Sequence, residues 1–337
     1  MFSKLNNLTE LTLELNYSTI CGYTQDELEK NFKEHLIELS EKNNDSYKET
    51  IEKIKRCYDG YSWDGKNFLY NPTSALSLLR KKQYSNYWFD TATPDFLMEF
   101  MKKENIDINP LIDSNISFNG DFPTFNLKDI DFGTILLQTG YLTIKKHEKS
   151  LQGFEKYTLD IPNQEVRTSL FKYIVATYTN NTPEEIDNTA ENFISYILTS
   201  DEENLTKTVD ILIGKVAYHY DTHNWKHYQS IFRGFFMGMG IKTLSEIPNS
   251  QGRIDYVLEY KNTYIIIELK YSTQKTLDEM LKEAKKQIYG KRYYQTYQDK
   301  NIITIAIAIK ETEKIKETKA QIRTLKELKE ELKEELK

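Results

Sequence analysis

In the C-terminal part of the chain the spacing of apolar residues changes period several times, and each change marks an element. Tyr228, Ile231, Phe232, Phe235 and Met239 recur at three- and four-residue intervals, as on a helix with one buried stripe. Residues 241–247, 254–260 and 264–270 then read as strands, 276 to about 293 as a helix, and 302–309 as a strand apolar on both faces. Such a strand suits a central, helix-covered position. The order is αβββαβ. Beyond it, 313–337 is rich in Lys and Glu with Ile315, Ile322, Leu325, Leu332 and Leu336 along one side, which predicts a charged surface helix.

The upstream part reads as mainly helical. Thr24 followed by Glu27 marks a helix start, continued by Phe32, Leu36 and Leu39. Residues 58–65 are turn-rich and aromatic, and their Tyr and Trp read as packing anchors rather than a base-stacking platform. Asn71-Pro72 begins another helix. Residues 141–144 and 157–161 predict a short strand pair, after which Asn163 caps a helix carrying Val166, Leu170, Ile174 and Val175. Further helices are expected to about 217. The polar stretch 180–203 is where a boundary would be sought, and no internal repeat is visible. The fold class is α/β in three parts: 1–217 mainly helical, 218–310 αβββαβ, and 311–337 a helical tail.

Composition narrows the function. The 337 residues with 39% hydrophobic content, 24 Tyr and 16 Phe supply cores for two or three domains. No segment reaches the roughly 18 to 20 apolar residues of a membrane span, and the N-terminus lacks a signal-peptide core, so no membrane partner and a cytoplasmic location are expected. Cys21 and Cys57 read as ordinary reduced thiols. The net charge of -6 argues against a chain that is basic throughout. Locally, however, Lys270, Lys275, Lys282, Lys285, Lys286, Lys291 and Arg292 outnumber Asp278, Glu279 and Glu283. That excess reads either as a positive surface or as a solvated lysine-rich face.

The chemistry sits on adjacent strands. Side chains alternate along a strand, so Glu268 and Lys270 share a face with Ile266, while Ile265, Ile267 and Leu269 share the other. A charged pair beside a core must be paired or must hold an ion and substrate. Mg²⁺ takes carboxylates, waters and substrate oxygens, so Asp255 and Glu268 read as its ligands with the Leu269 carbonyl as a third, Mn²⁺ being the alternative ion. Lys270 would orient the attacking water and stabilise developing charge. The other reading is an edge-strand ion pair, with Asp255 closing a turn. His219, His223 and His227 recur every four residues as zinc ligands can. No acidic or cysteine partner accompanies them, and Asp221, Thr222 and Asn224 read as an interrupting helix start, so no metal role is assigned.

These residues resemble the PD-(D/E)XK nuclease superfamily over about 225–310, in the branch fused behind an AAA-ATPase-like domain. The upstream motifs 2–8, 22–24, Tyr58-Asp59-Gly60-Tyr61, 87–94 and Gln138-Thr139-Gly140-Tyr141-Leu142 are similar to the C-terminal portion of that AAA-like domain. The resemblance implies a restriction-endonuclease-like domain acting on nucleic acid, DNA before RNA, with Asp255, Glu268 and Lys270 catalytic and Gln287 supporting the site through a phosphate or water. A protein partner or homo-oligomer is compatible with it. Two departures stand out. Residues 224–229 carry no acid where family members often place a glutamate, which leaves one-metal chemistry or a catalytically inactive binding module as alternatives. No Gly-x-x-x-x-Gly-Lys-Ser/Thr loop occurs, so ATP hydrolysis is not expected, and the N-terminal part reads as the remnant of a truncated or split protein.

Overall fold

Reciprocal side-chain caps fix where several helices begin. The computed structural model describes residues 11, 13–89, 94–104, 106–114, 116–119, 132–149, 151, 153–214, 225–249, 252–297, 300–312 and 316–334. Thr24 and Glu27 exchange hydrogen bonds at the start of α1 (Gln25–Asn43), as Ser46 and Glu49 do before α2 (Tyr47–Tyr58). Asn71 caps α3 (Pro72–Lys81), where Pro72 occupies a position whose N–H would go unused. These residues fall into two compact units. One comprises Met1–Pro94 with Asp107–Leu170, the other Asp95–Ile106 with Phe171–Lys337, so that α4 (Asp95–Lys103) belongs to the second.

In the first unit, Leu28, Leu36, Leu39, Ile54, Tyr58 and Leu78 form the core of α1–α3. After α5 (Asn109–Ile112) come β1 (Ile116–Asn119), α6 (Phe132–Gln138), β2 (Thr143–Lys149) and β3 (Glu155–Asp160). The expected strand pair is β2–β3, and β1 joins it on the far side of β3 in an antiparallel sheet. The turn-rich segment closes this unit. Gly60 has φ +114°, and a β-carbon there would collide with the Pro162 carbonyl oxygen, so only glycine fits. The Tyr58 hydroxyl donates to the Ser85 carbonyl (2.9 Å) and the Tyr61 hydroxyl to the Gly140 carbonyl (3.2 Å). Tyr61, Trp63, Trp88 and Gly140 border a cavity of 240 Å³. Of the motifs, 2–8 and 90–93 lie outside the described residues.

The second unit is built on a five-stranded sheet. Asn163 Oδ1 accepts from the Val166 N–H at the start of α7 (Gln164–Tyr178), which begins in the first unit and whose residues from Phe171 belong to the second, followed by α8 (Pro183–Leu198), α9 (Glu202–Gly214) and α10 (Trp225–Gly238). Strands β4 (Lys242–Asn249), β5 (Gly252–Tyr260), β6 (Thr263–Ser272), β7 (Asn301–Glu311) and β8 (Lys316–Thr324) lie in sequence order, with only the β6–β7 pair parallel. Helix α11 (Leu277–Gly290) makes the crossover between that pair, and α12 (Leu325–Glu334) ends the fold. On one face Leu258, Ile265, Ile267, Leu269, Ile305 and Ile307 pack with Val175, Phe193, Val209, Phe232 and Phe235 of the preceding helices. Each fully buried side chain of this kind contributes about 1.5–3 kcal/mol. On the other face α11 sets Met280, Leu281 and Ala284 against Ala306 and Ala308, small residues that let the helix approach.

The tail corrects the sequence reading. Residues 316–324 are a strand, not the first part of a helix running from 313. Ala320 and Ile322 are buried at a period of two, and β8 pairs with β7 from Lys316 to Thr324. Its outer edge is satisfied by α9 rather than by another strand: the Ala320 N–H donates to Thr206 Oγ1 (3.0 Å) and the Ile322 N–H to Glu202 Oε1 (2.9 Å). Covering the edge this way removes a template for pairing with other chains. Among the described residues of the tail, only 325–334 is helical.

Candidate active site

The site lies where β5 and β6 part. Their ladder runs from the Tyr256–Ile267 pair to the Tyr260–Thr263 pair. The preceding residues of β5, 252–254, pair with β4, which also pairs with 256–259. Strand β6 continues beyond Ile267 alongside β7, to the pairing of Ser272 with Lys310. At the fork the Asp255 side chain takes over from the ladder, its Oδ2 accepting the Leu269 N–H at 2.8 Å. Asp255 lies on the same face as Val257, and therefore as Ile266, Glu268 and Lys270.

β6 is an inner strand of the sheet, but at Glu268 and Lys270 it pairs with β7 alone, its other side opened by the fork. The Glu268 side chain is 1% exposed, and its Oε1 accepts from Lys270 Nζ at 2.8 Å. Its other oxygen, Oε2, is buried and has no hydrogen-bond partner among the described residues. Burial, and then the negative charge of Asp255, push the Glu268 carboxyl up to about 7, against the opposing pull of Lys270 and Lys291. An orphaned buried carboxylate oxygen is costly unless something positive fills the space beside it. Two hard carboxylates sharing one field, one of them incompletely bonded, suit a small divalent cation.

Gln287, on α11 above this face, accepts from Lys270 Nζ through its Oε1 at 2.6 Å. The structure thus places Asp255, Glu268, Lys270 and Gln287 in one linked cluster. That contact uses the Gln287 amide oxygen as acceptor, and a phosphate oxygen would instead be met by its Nε2 donor. Leu269 contributes through its backbone, holding Asp255, while its side chain is buried in the core of the opposite face. Asp255's role as acceptor for that N–H has no signal in the sequence, since it depends on where the strands separate.

Around this centre the lysine excess is partly neutralised. Lys275 pairs with Glu283 (2.6 Å), Lys319 with Asp278 (2.7 Å) and Lys285 with Glu331. Helix α10, which begins at Trp225, packs its Phe232 and Phe235 on the face away from Asp255 and Glu268. Among the described residues no three His, Cys, Asp or Glu side chains gather as a metal-ligand set, so this site offers two carboxylates. His219 and His223 lie outside the described residues, as does the side chain of His227. No helix among the described residues is long and apolar enough to cross a membrane.

Known proteins match this part of the chain. Residues 223–319 fit the model of the PD-(D/E)XK nuclease superfamily. An uncharacterized protein in the vnfD 5' region of Azotobacter chroococcum mcd 1 is 26% identical over 298 residues, which is 87% of this chain. The chain spans about half of that relative's length, 55%. No solved structure matches it. The matched residues contain the strand fork, both carboxylates, the lysine and the covering helix, and residues 223–319 form a PD-(D/E)XK nuclease superfamily domain.

Proposed function

We propose that the protein is a Mg²⁺-dependent nuclease that hydrolyses phosphodiester bonds in DNA, with Mn²⁺ able to replace Mg²⁺. The observation that carries this reading is the buried Glu268 Oε2, without a hydrogen-bond partner among the described residues, in the field of Asp255 and beside an ordered lysine. Asp255 and Glu268 would hold the ion, which when bound supplies positive charge to the phosphoryl oxygens and makes a water more acidic. Asp255 is held for this by the Leu269 N–H, so its carboxylate needs little reordering. Lys270, fixed between Glu268 and Gln287, has one N–H left to give to the attacking water or to a phosphoryl oxygen. Gln287 acts through Lys270 and is a positioning residue.

Residues 1–217 complete the proposal as the mainly helical C-terminal portion of an AAA-ATPase-like domain that does not itself hydrolyse ATP. Its support is the order of the motifs, three of which, at Tyr61, Trp88 and Gln138–Gly140, border one cavity. A second reading, a catalytically silent nucleic-acid-binding module, draws on the absence of an acid from 224–229. Plasmid nicking with Mg²⁺ or Mn²⁺ separates the two. The nuclease reading expects nicking by the wild type and none by Asp255→Ala or Lys270→Ala. Equal nicking by all three would refute the site. DNA binding without nicking by the wild type would favour the silent module.

A further inference from the structure

Leu151 and Phe154 stand at the end of a hairpin, outside any core. The connection from β2 to β3 leaves Leu151 fully exposed and Phe154 65% exposed. A β-carbon added at Gly153, at φ +85°, would meet nothing within 4 Å among the described residues, so the tip projects from its unit. Single apolar residues are ordinary on a surface. A pair on one projecting tip points to a partner that covers them.

The ribbon beneath the tip is basic on an acidic chain. Residues 145–156 hold four lysines against two glutamates, whereas the whole chain carries a net charge of -6. Lys146 reaches Glu148 at 2.7 Å and Lys149 reaches Glu155 at 3.3 Å, from side chains 62% and 72% exposed. Glu155 has His147 as its closer partner, at 2.6 Å. Ion pairs so exposed are worth little, and a phosphate can take the place of either acid. Lysines on β2, an edge strand of its sheet, also deter pairing with other strands. That role accounts neither for the exposed Lys156, on the central strand β3, nor for the apolar tip.

We propose that the β2–β3 hairpin is a DNA-binding arm, with Leu151 and Phe154 entering between base steps and Lys146, Lys149 and Lys156 meeting the flanking phosphates. This rests on the nuclease reading, because the superfamily domain at 223–319 in the same chain is what makes a duplex the partner to expect. A two-stranded ribbon fits a DNA groove, and apolar side chains inserted between base pairs unstack and bend the duplex. An anionic lipid surface would attract the same lysines and tip, and the test separates the two.

Binding of the full chain to a fluorescein-labelled duplex is measured by anisotropy in EDTA, where affinity is read apart from cleavage. Leu151→Ser with Phe154→Ser should weaken binding about 30-fold and leave the melting temperature unchanged. Leu151→Met with Phe154→Trp, which keeps the apolar bulk, should bind as the wild type does. Lys146→Gln with Lys156→Gln should reduce the slope of log affinity against log salt by about 2. In duplexes carrying 2-aminopurine at successive positions, the wild type should raise the fluorescence at one step and the serine variant should not. Serine and wild-type proteins of equal affinity would overturn the arm, as would a wild type that leaves every 2-aminopurine stacked. Wild-type binding to vesicles of phosphatidylserine and phosphatidylcholine that the serine variant loses, with duplex affinity unchanged, would assign the tip to lipid and overturn it too. In each case plasmid nicking by the wild type would leave the nuclease reading standing. A wild type that neither binds nor nicks DNA would sink both.

Discussion

Replacing Glu268 by glutamine should stabilise the metal-free protein at alkaline pH while abolishing its activity. The Glu268 carboxyl titrates at about 7 in the folded chain against an ordinary value of 4.5. Below 4.5 the group is protonated in both folded and unfolded states, and pH changes nothing. Between 4.5 and 7 the unfolded chain ionises while the folded one keeps its proton, so the folded state loses relative stability as pH rises. The full loss, reached by pH 8, is about 3 kcal/mol. Glutamine keeps the shape and an acceptor for Lys270 but does not titrate. The advantage of Glu268→Gln over wild type should therefore grow by about 3 kcal/mol from pH 4.5 to pH 8 in EDTA. Urea unfolding followed by Trp225 fluorescence, with Trp63 and Trp88 replaced by Phe, reports on the unit that carries the five-stranded sheet. Saturating Mn²⁺ should narrow the gap at pH 8, because an ion that binds only the folded wild type adds about 2.7 kcal/mol at 100 times its Kd. A difference between the two proteins that does not change with pH would refute the reasoning.

Other substitutions probe the same geometry. Asp255→Ala removes the acceptor of the Leu269 N–H as well as a carboxylate, so it should cost about 1–3 kcal/mol in urea unfolding and all metal-dependent cleavage. Asp255→Asn, which keeps an acceptor, should lose the cleavage with a smaller cost in stability. Gln287→Ala frees Lys270 from one of its two acceptors and should lower the cleavage rate about tenfold with little change in melting temperature. Gly60→Ala forces a side chain into a left-handed backbone position against Pro162 and should destabilise the first unit by more than about 3 kcal/mol, seen by differential scanning calorimetry. Glu202→Ala strips the acceptor from the Ile322 N–H and from Arg323, and should cost about 2 kcal/mol and speed exchange of the β8 amides.

Where an element is set by its own apolar period, the sequence shows it. The stripe on α10, the two-faced apolar run of β7 and the alternation around Glu268 are each visible without a partner. The same alternation puts Glu268 and Lys270 on one face, and the capping residues Thr24, Asn71 and Asn163 each begin the helix expected of them. Strand β8 is hidden because only Ala320 and Ile322 mark its inner face, and the acceptors for its outer N–H groups come from Glu202 and Thr206, more than a hundred residues away. Phe32 fits a helical spacing yet sits at φ -123°, at a kink in α1, where its ring packs edge-on against Tyr23. In the site, the identity of the carboxylates is legible, but the Asp255–Leu269 and Lys270–Gln287 contacts are not. Both depend on the fork between β5 and β6 and on how α11 lies over it.

Equilibrium binding of Mn²⁺, followed by calorimetry on wild type, Asp255→Asn and Glu268→Gln, tests most directly whether the two carboxylates hold an ion. One ion per chain is predicted for the wild type, bound more tightly as pH rises through 7 and Glu268 loses its proton, with binding lost in both variants. Binding that survives both substitutions, or no binding by the wild type at millimolar Mn²⁺, would contradict the account.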